Sequence, residues 1–416
     1  MRILITFLAT LLFYSCSKMP EYNPERNFEN IEKQMIAEFI MVEDSQVINL
    51  DEGHYLFSKS LILEGKNNVT IRGKGIDKTI ISFRGQAEGA EGIRIANCGN
   101  ITLENFTVED AAGDNIKVTD TDGITLRNIK TAWTGTVKQE NGAYGLYPVL
   151  SKRVLVENCE VLGASDAGIY VGQSEDVIIR NNKVYWNVAG IESENSENVE
   201  VYGNEAYENT GGILVFDLPG LTRYGQNIKV HDNMIYENNL ENFAPKGNIV
   251  GMVPPGTGML ILATRNVEIY NNTIKDNRTV GAGIISYLLV DAMGHQSQTN
   301  DSSQIAQSDY RKDVNYDPYP GNIYLHDNVF ENKYTLPTLD NDFGKLFVLK
   351  FKTKLPAIIW DGIKHENFYL DDGSINPEFK ICVQENESIR TATLDAENDF
   401  EGLEVNPEIF HCNVSI

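Results

Sequence analysis

From Gly92 to Phe330 the chain is a succession of short runs in which apolar and polar residues alternate, each closed by Gly, Asn or Asp. Alternation with a period of two buries one face of a strand, and no helical stripe of ten or more residues lies between the runs. One kind of run recurs as Gly92-Ile93-Arg94-Ile95, Asn115-Ile116-Lys117-Val118, Gly145-Leu146-Tyr147, Gly168-Ile169-Tyr170-Val171, Gly190-Ile191-Glu192, Gly212-Ile213-Leu214-Val215 and Gly258-Met259-Leu260-Ile261. The step is 22 residues from Ile169 to Ile191 and from Ile191 to Ile213, and 23 from Ile93 to Ile116 and from Leu146 to Ile169. A second run keeps the same rhythm, starting at Ile101, Ile124, Val154, Val177, Val199, Ile228, Val267 and Ile323.

Two residues beyond each second run stand Asn105, Asn128, Asn158, Asn181, Gly203, Asp232, Asn271 and Asp327. Only residue types that tolerate a left-handed backbone occupy this position, which predicts the same tight corner in every unit. The next position carries Asn182, Asn204, Asn233, Asn272 and Asn328 in the later units, a set suited to a stacked amide ladder. A unit of about 22 residues cannot bury its own apolar face, whereas copies stacked ~4.8 Å apart can. A propeller would need blades of roughly 40 residues, and a leucine-rich repeat would show helix or more leucine. The expected fold is all-β, a right-handed parallel β-helix solenoid over residues 46–333.

Solenoid ends expose unpaired backbone and core, so they need covers. Ile31 to Met41, within the 17–45 segment, has the pattern of a short amphipathic helical cap, and residues 334–416 lose the period and are expected to form an irregular C-terminal cap containing Trp360. The rhythm also breaks at Ala132 to Ala143, Leu218 to Gln226, Leu240 to Thr257 and Leu289 to Gly321. In a solenoid such insertions become loops on one face, often the binding one; the last is polar and fits a solvated linker as well as a lid.

Composition narrows the partners. With 59 Asp and Glu against 35 Lys and Arg, the formal charge of −24 opposes general association with nucleic acid or anionic membrane. Beyond residue 16 no apolar run approaches the roughly 20 residues that span a bilayer. The N-terminus, Met1-Arg2, an apolar run from Ile3 to Tyr14, then Ser15-Cys16-Ser17-Lys18, has the order of an export signal. It resembles a bacterial lipoprotein signal. That resemblance implies a signal over residues 1–16, acylation of Cys16, membrane contact through the anchor alone, and, with Ser17 following, an outer-membrane location facing either side. Ordinary cleavage nearby is the other reading, and a monomer is expected. Cys98 and Cys159 fall where small apolar residues pack, while Cys382 and Cys412 lie in the irregular tail, where a bridge between them is an open question.

The runs Asp166-Ala167-Gly168-Ile169-Tyr170-Val171-Gly172-Gln173-Ser174, Asn187-Val188-Ala189-Gly190-Ile191-Glu192 and Asn209-Thr210-Gly211-Gly212-Ile213-Leu214-Val215-Phe216-Asp217-Leu218-Pro219-Gly220 resemble a bacterial family of parallel β-helix repeat proteins, and more loosely the pectin-lyase-like superfamily. The resemblance implies the fold and export for nearly all the mature chain. It implies an extracellular polysaccharide or oligosaccharide ligand more firmly than any reaction.

Between two inward positions of each first run one residue points outward, so Arg94, Lys117, Tyr147, Tyr170, Glu192 and Leu214 are expected in one exposed row, flanked by Asp114, Tyr144 and Asp166 at the adjoining corner. Lyases and epimerases of uronates must neutralise a carboxylate and remove a neighbouring proton. Lys117, Tyr147, Tyr170 and Asp166 are the candidates for that chemistry, with Lys117 or Arg94 neutralising and a tyrosine as base or acid. Arg94, Asp114, Tyr144, Gln173, Glu192 and Asp217 are the candidates for holding substrate; no cofactor is evident, and Asp166 with Glu192 makes calcium an expectation. A glycoside hydrolase would use Asp166 and Glu192 as its carboxyl pair, although no rung carries the Asp-Asp or Gly-His-Gly of a polygalacturonase. A non-catalytic glycan-binding or structural envelope protein fits the same row. His231 and His326 share one repeat position, which a corner explains; no zinc-type spacing is present.

Overall fold

The computed structural model describes residues 27–297 and 310–411, so Cys16, Cys412 and the stretch 298–309 lie outside the described residues. Two long parallel ladders form. A 12-stranded sheet stacks the first strand of each rung, and a 19-stranded sheet carries the second and third strands, which meet at the corner.

Register follows the sequence repeat. Ile169 pairs with Ile191 and Ile191 with Ile213, all at most 1% exposed, so the aliphatic side chains pile in a single internal column. The second strands align Val154, Val177, Val199, Ile228, Val267 and Ile323 in the same way. Each fully buried aliphatic side chain contributes roughly 1.5–3 kcal/mol, and no unit could secure that alone. All eight corner residues from Asn105 to Asp327 have φ between 49° and 65°, the left-handed region their side chains tolerate.

Behind the corners the amide ladder runs as expected. Asn182, Asn204, Asn233, Asn272 and Asn328 are linked side chain to side chain, each Nδ2 donating to the next Oδ1 at 2.9 Å, and Glu385 closes the column by accepting from Asn328. A second ladder, Asn187, Asn209, Asn238 and Asn277, runs beside the third corner at 3.0 to 3.1 Å. Gly168, Gly190, Gly212 and Gly258 open the first strands because a Cβ there would sit within 2.5 to 2.9 Å of the next rung's carbonyl oxygen. His231 and His326 stack on either face of Tyr270, at 4.6 and 5.3 Å, a structural use of their shared position.

The helix Glu32–Met41 covers the N-terminal rung, burying Met35 and Phe39. The C-terminal segment is more regular than its sequence suggests. Ile358–Trp360 and Thr391–Thr393 extend the first ladder and Ile381–Gln384 the second, with the helix Asp342–Phe351 inserted before them. The rung is disguised because 76 residues separate Ala282 from its partner Ile358. Only the final pairing, Ala392 with Val405, turns antiparallel and ends the ladder. Cys382 is disulfide-bonded, and Cys98 and Cys159 are buried free thiols.

Candidate functional site

The outward positions of the first ladder do form the expected row. Arg94, Lys117 and Tyr147 stand in register on successive rungs, as do Tyr170, Glu192 and Leu214 further along. The row is not the open strip that alternation alone predicts. Arg94, Lys117 and Tyr147 are half-buried, whereas Tyr170, Glu192 and Leu214 are 5%, 3% and 0% exposed.

Two insertions account for the difference. Val250 and Val253, from the insertion after the Asn238 corner, pack with Tyr287, Val290 and Tyr316, from the last insertion, over Leu214, Phe216, Leu260 and Leu262. The first is braced internally, since the Asn242 amide donates to the carbonyls of Val250 and Val253, both at 3.0 Å. The second is pinned by Asp361, whose Oδ2 accepts from the backbone N–H and hydroxyl of Ser286 at 2.7 and 2.8 Å. The described parts of the two insertions therefore act as a cover.

Where the cover meets the polar part of the row, tyrosines and carboxyls converge. The rings of Tyr144, Tyr147 and Tyr170 lie 4.4 to 4.9 Å apart, centre to centre. Tyr170 bends along the strand over Gly172, where a Cβ would come within 2.4 Å of its ring, and its hydroxyl donates to Glu194 Oε1 at 2.6 Å. Asp166 Oδ2 accepts from Asn248 of the cover at 3.1 Å and from the Tyr144 hydroxyl at 3.4 Å. Glu192 Oε2 is buried without a hydrogen-bond partner. On the N-terminal side Lys117 Nζ lies 4.8 Å over the Tyr147 ring and 3.7 Å from both Glu91 and Asp114.

Burial and crowding set the protonation states. Removal from water, then repulsion from Glu194, raises Asp166 to about 7. Burial raises Glu194 to about 7 as well, and burial with Asp166 and Glu194 beside it pushes Glu192 well above the usual carboxylate range. Asp114 rises to about 6, again chiefly by burial. The same desolvation, reinforced by nearby carboxylates, raises Tyr147 to about 12 and pushes Tyr144 and Tyr170 well above the ordinary phenol value. The phenols are thus proton donors at neutral pH. Of the two roles, base or acid, that the sequence offers to Tyr147 or Tyr170, a raised phenol favours the acid.

Of the residues singled out from sequence, Lys117, Tyr147, Tyr170, Asp166, Asp114, Tyr144 and Glu192 are brought together, with Arg94 one rung beyond Lys117. Gln173 and Asp217 are engaged elsewhere. The Gln173 amide oxygen accepts from the N–H and hydroxyl of Thr222 at 3.0 and 2.9 Å. Asp217 Oδ1 accepts from Gly225 N–H at 2.9 Å, and the Tyr316 hydroxyl donates to the Asp217 backbone carbonyl; both residues hold loops. Two members were missed. Glu194 follows Glu192 at the period of two and was readable from it, whereas Asn248 arrives from an insertion with no period to place it. Among the described residues no group of three or more His, Cys, Asp or Glu side chains is arranged to hold a metal ion.

The model of the right-handed β-helix region matches residues 59–222 and, overlapping, 135–289. No curated protein matches the chain. Among solved structures, the A-module of mannuronan C-5 epimerase AlgE6 from Azotobacter vinelandii is 15% identical, with 85% of this chain and 88% of that one covered and a TM-score of 0.50. A mutant of DFA-IIIase from Arthrobacter chlorophenolicus A6, in complex with DFA-III, is 10% identical over 76% of this chain and 82% of its own, with a TM-score of 0.47. At such identities the likeness is one of fold.

Proposed function

Because the chain belongs to the right-handed β-helix family, we propose that it acts on a polysaccharide or oligosaccharide, using the buried carboxyls Asp166, Glu192 and Glu194 for acid–base cleavage of a glycosidic bond. The observation that carries this reading is the convergence of three raised carboxyls with three phenols at the edge of the cover. Environments that push neighbouring carboxyls to different affinities for protons separate an acid from a base. Glu192, without a donor on its Oε2, keeps its proton and delivers it to the departing glycosidic oxygen as the carbon–oxygen bond breaks. Asp166 or Glu194, each held by a donor, is the carboxylate that takes a proton from the water adding at the anomeric carbon. Tyr144, Tyr147 and Tyr170 offer ring faces and hydroxyls to the sugar. The fold is shared with a module that acts on mannuronan, which supports a glycan as the ligand.

A second reading has its own support. Lys117, beside Tyr147 and with Arg94 on the preceding rung, is placed to neutralise a uronate carboxylate, with a phenol as acid and a carboxylate as base, as elimination or epimerisation requires. Incubating purified protein with mannuronan and with polygalacturonate separates the readings. New reducing ends without ultraviolet absorbance from an unsaturated uronate select hydrolysis; that absorbance selects elimination; binding without turnover by any assay selects a glycan-binding module and overturns the enzymatic proposal. Export and acylation at Cys16 belong to the same proposal and are checked by whether Cys16→Ala leaves the membrane fraction. Calcium is checked by whether EDTA alters binding.

A further inference from the structure

Building on the glycan reading, we propose that the row of outward residues is a dead end, met by the terminus of a glycan chain, so that the protein works from chain ends and not within the chain. The argument follows the row rung by rung. On the N-terminal side it is open: Arg94 and Lys117 are half-exposed, and Ile62, paired with Arg94 one rung earlier, is 42% exposed. From Glu192 onward the same slot is filled by Leu214 and Leu260, and the neighbouring outward slot after Glu194 by Phe216 and Leu262. These four are sealed under Val250, Val253, Tyr287 and Val290. A linear polymer lying along the row would have to continue through that wall.

The wall is built to stay. Its two segments are braced by the Asn242 hydrogen bonds and by Asp361 on Ser286, and the gap left between wall and rungs is an apolar cavity of about 50 Å³, too small for a sugar ring. A polar sugar there would also lose its hydrogen bonds to water without replacement. The terminal sugar therefore sits against the half-buried Glu194, Tyr144 and Tyr147, beside the closed-in Glu192 and Tyr170, and those beyond reach Lys117 and Arg94. From Glu192 to Arg94 is four rungs, roughly 19 Å at the usual strand spacing. Lys117 is balanced by Glu91 and Asp114, so Arg94 is the group that favours a carboxylate in the sugars behind the terminus.

Product analysis on mannuronan and polygalacturonate, intact and as short defined oligomers, tests this directly. The expected result is early release of the smallest fragment alone, while the average length of the polymer falls slowly. A ladder of intermediate lengths at early times would overturn the dead end and leave the glycan reading intact, whereas failure of every polymer and oligomer to bind or react would remove both. Arg94→Ala supplies an independent readout. Its penalty in kcat/KM should rise with oligomer length, to about tenfold or more for chains long enough to reach it, the worth of one hydrogen bond to a charged group. An equal penalty at every length would count against the proposed direction of entry.

Discussion

Asp166→Asn should make the protein more stable at alkaline pH and leave its stability nearly unchanged at acid pH. The carboxyl of Asp166 is raised from 3.8 to about 7 by burial and by Glu194, so the folded chain binds that proton more tightly than the unfolded chain. Between those two values the folded state carries more protons, and stability falls as pH rises. The contribution is complete below pH 4 and gone once pH has passed the folded value. Three units correspond to roughly 4 kcal/mol at about 1.4 kcal/mol per unit. Asp166, Glu192 and Glu194 crowd one another, so proton release is shared among them and the gain expected from one neutral amide is roughly 2 to 4 kcal/mol. The amide that replaces the carboxyl keeps an oxygen for Asn248 and Tyr144, so the hydrogen bonds survive the change. The assay is urea unfolding of both proteins at matched pH from 4 to 9, comparing midpoints with the slope unchanged. Taking the difference removes the general effect of the −24 charge. A gain that is flat across pH, or one that shrinks as pH rises, refutes the account of the carboxyl cluster. Activity on any identified glycan should fall in the same variant, the usual exchange of stability for function at a strained polar site.

Three further outcomes follow from the geometry. Tyr170→Phe removes the donor that stabilises the Glu194 carboxylate; turnover should drop at least tenfold and the acid limb of the pH–rate profile should move upward, which a purely structural tyrosine would not do. Gly172→Ala places a Cβ 2.4 Å from the Tyr170 ring and should cost about 1–3 kcal/mol, most of it recovered when Tyr170→Ala is added; additive costs in that double-mutant cycle would disprove the contact. Asn204→Ala breaks the amide ladder, taking the Asn204 Oδ1 acceptor from the Asn182 N–H and Nδ2 and the Nδ2 donor from Asn233 Oδ1, which keeps only the backbone N–H at position 204, and should cost about 2–5 kcal/mol. Asn198→Gly, on an exposed pair with Asp176 and at a left-handed φ of 54° that glycine also adopts, should change stability by less than about 0.5 kcal/mol; similar losses in the two variants would show that burial does not set the difference.

The solenoid was legible because one physical requirement repeats: Ile169, Ile191 and Ile213 must meet, and the corner residues betray a left-handed turn each time. The second amide ladder has the same origin and the same spacings of 22, 29 and 39 residues as the first, so it was readable in the same way. The last rung was hidden because 76 residues separate Ala282 from Ile358. At the site, alternation identified which side chains face outward, and it applied to Glu194 as fully as to Glu192. Burial was not legible, because it depends on what lies over a face and not on which face is presented. Tyr147 and Tyr170 read as exposed phenols that a lysine could ionise; under the cover their environment has the opposite sign.

The outward residues nevertheless held a clue to the cover. Along one backbone slot the chain places Arg94, Lys117, Tyr147, Tyr170, Glu192, Leu214 and Leu260, passing from cation through phenol and carboxyl to aliphatic. A soluble rod rarely leaves a contiguous apolar patch on its outer face, so Leu214, Phe216, Leu260 and Leu262 together call for something to lie over them. The insertion that supplies Val250 and Val253 leaves the solenoid at the rung of Leu214 and Phe216, and Tyr287 and Val290 follow the strand Val280–Ile285, one rung past Leu260 and Leu262. Insertion and apolar outward residues are thus one unit, each explaining the other, and the carboxyls owe their raised proton affinity to standing at its edge. Shortening the insertion that carries Val250 should therefore expose the leucines, wet the cluster and lower Asp166 and Glu194 toward ordinary carboxylate values. Carboxyl titration followed by NMR would show that movement, and unchanged titration would mean that crowding among the three acids, not the cover, holds their protons.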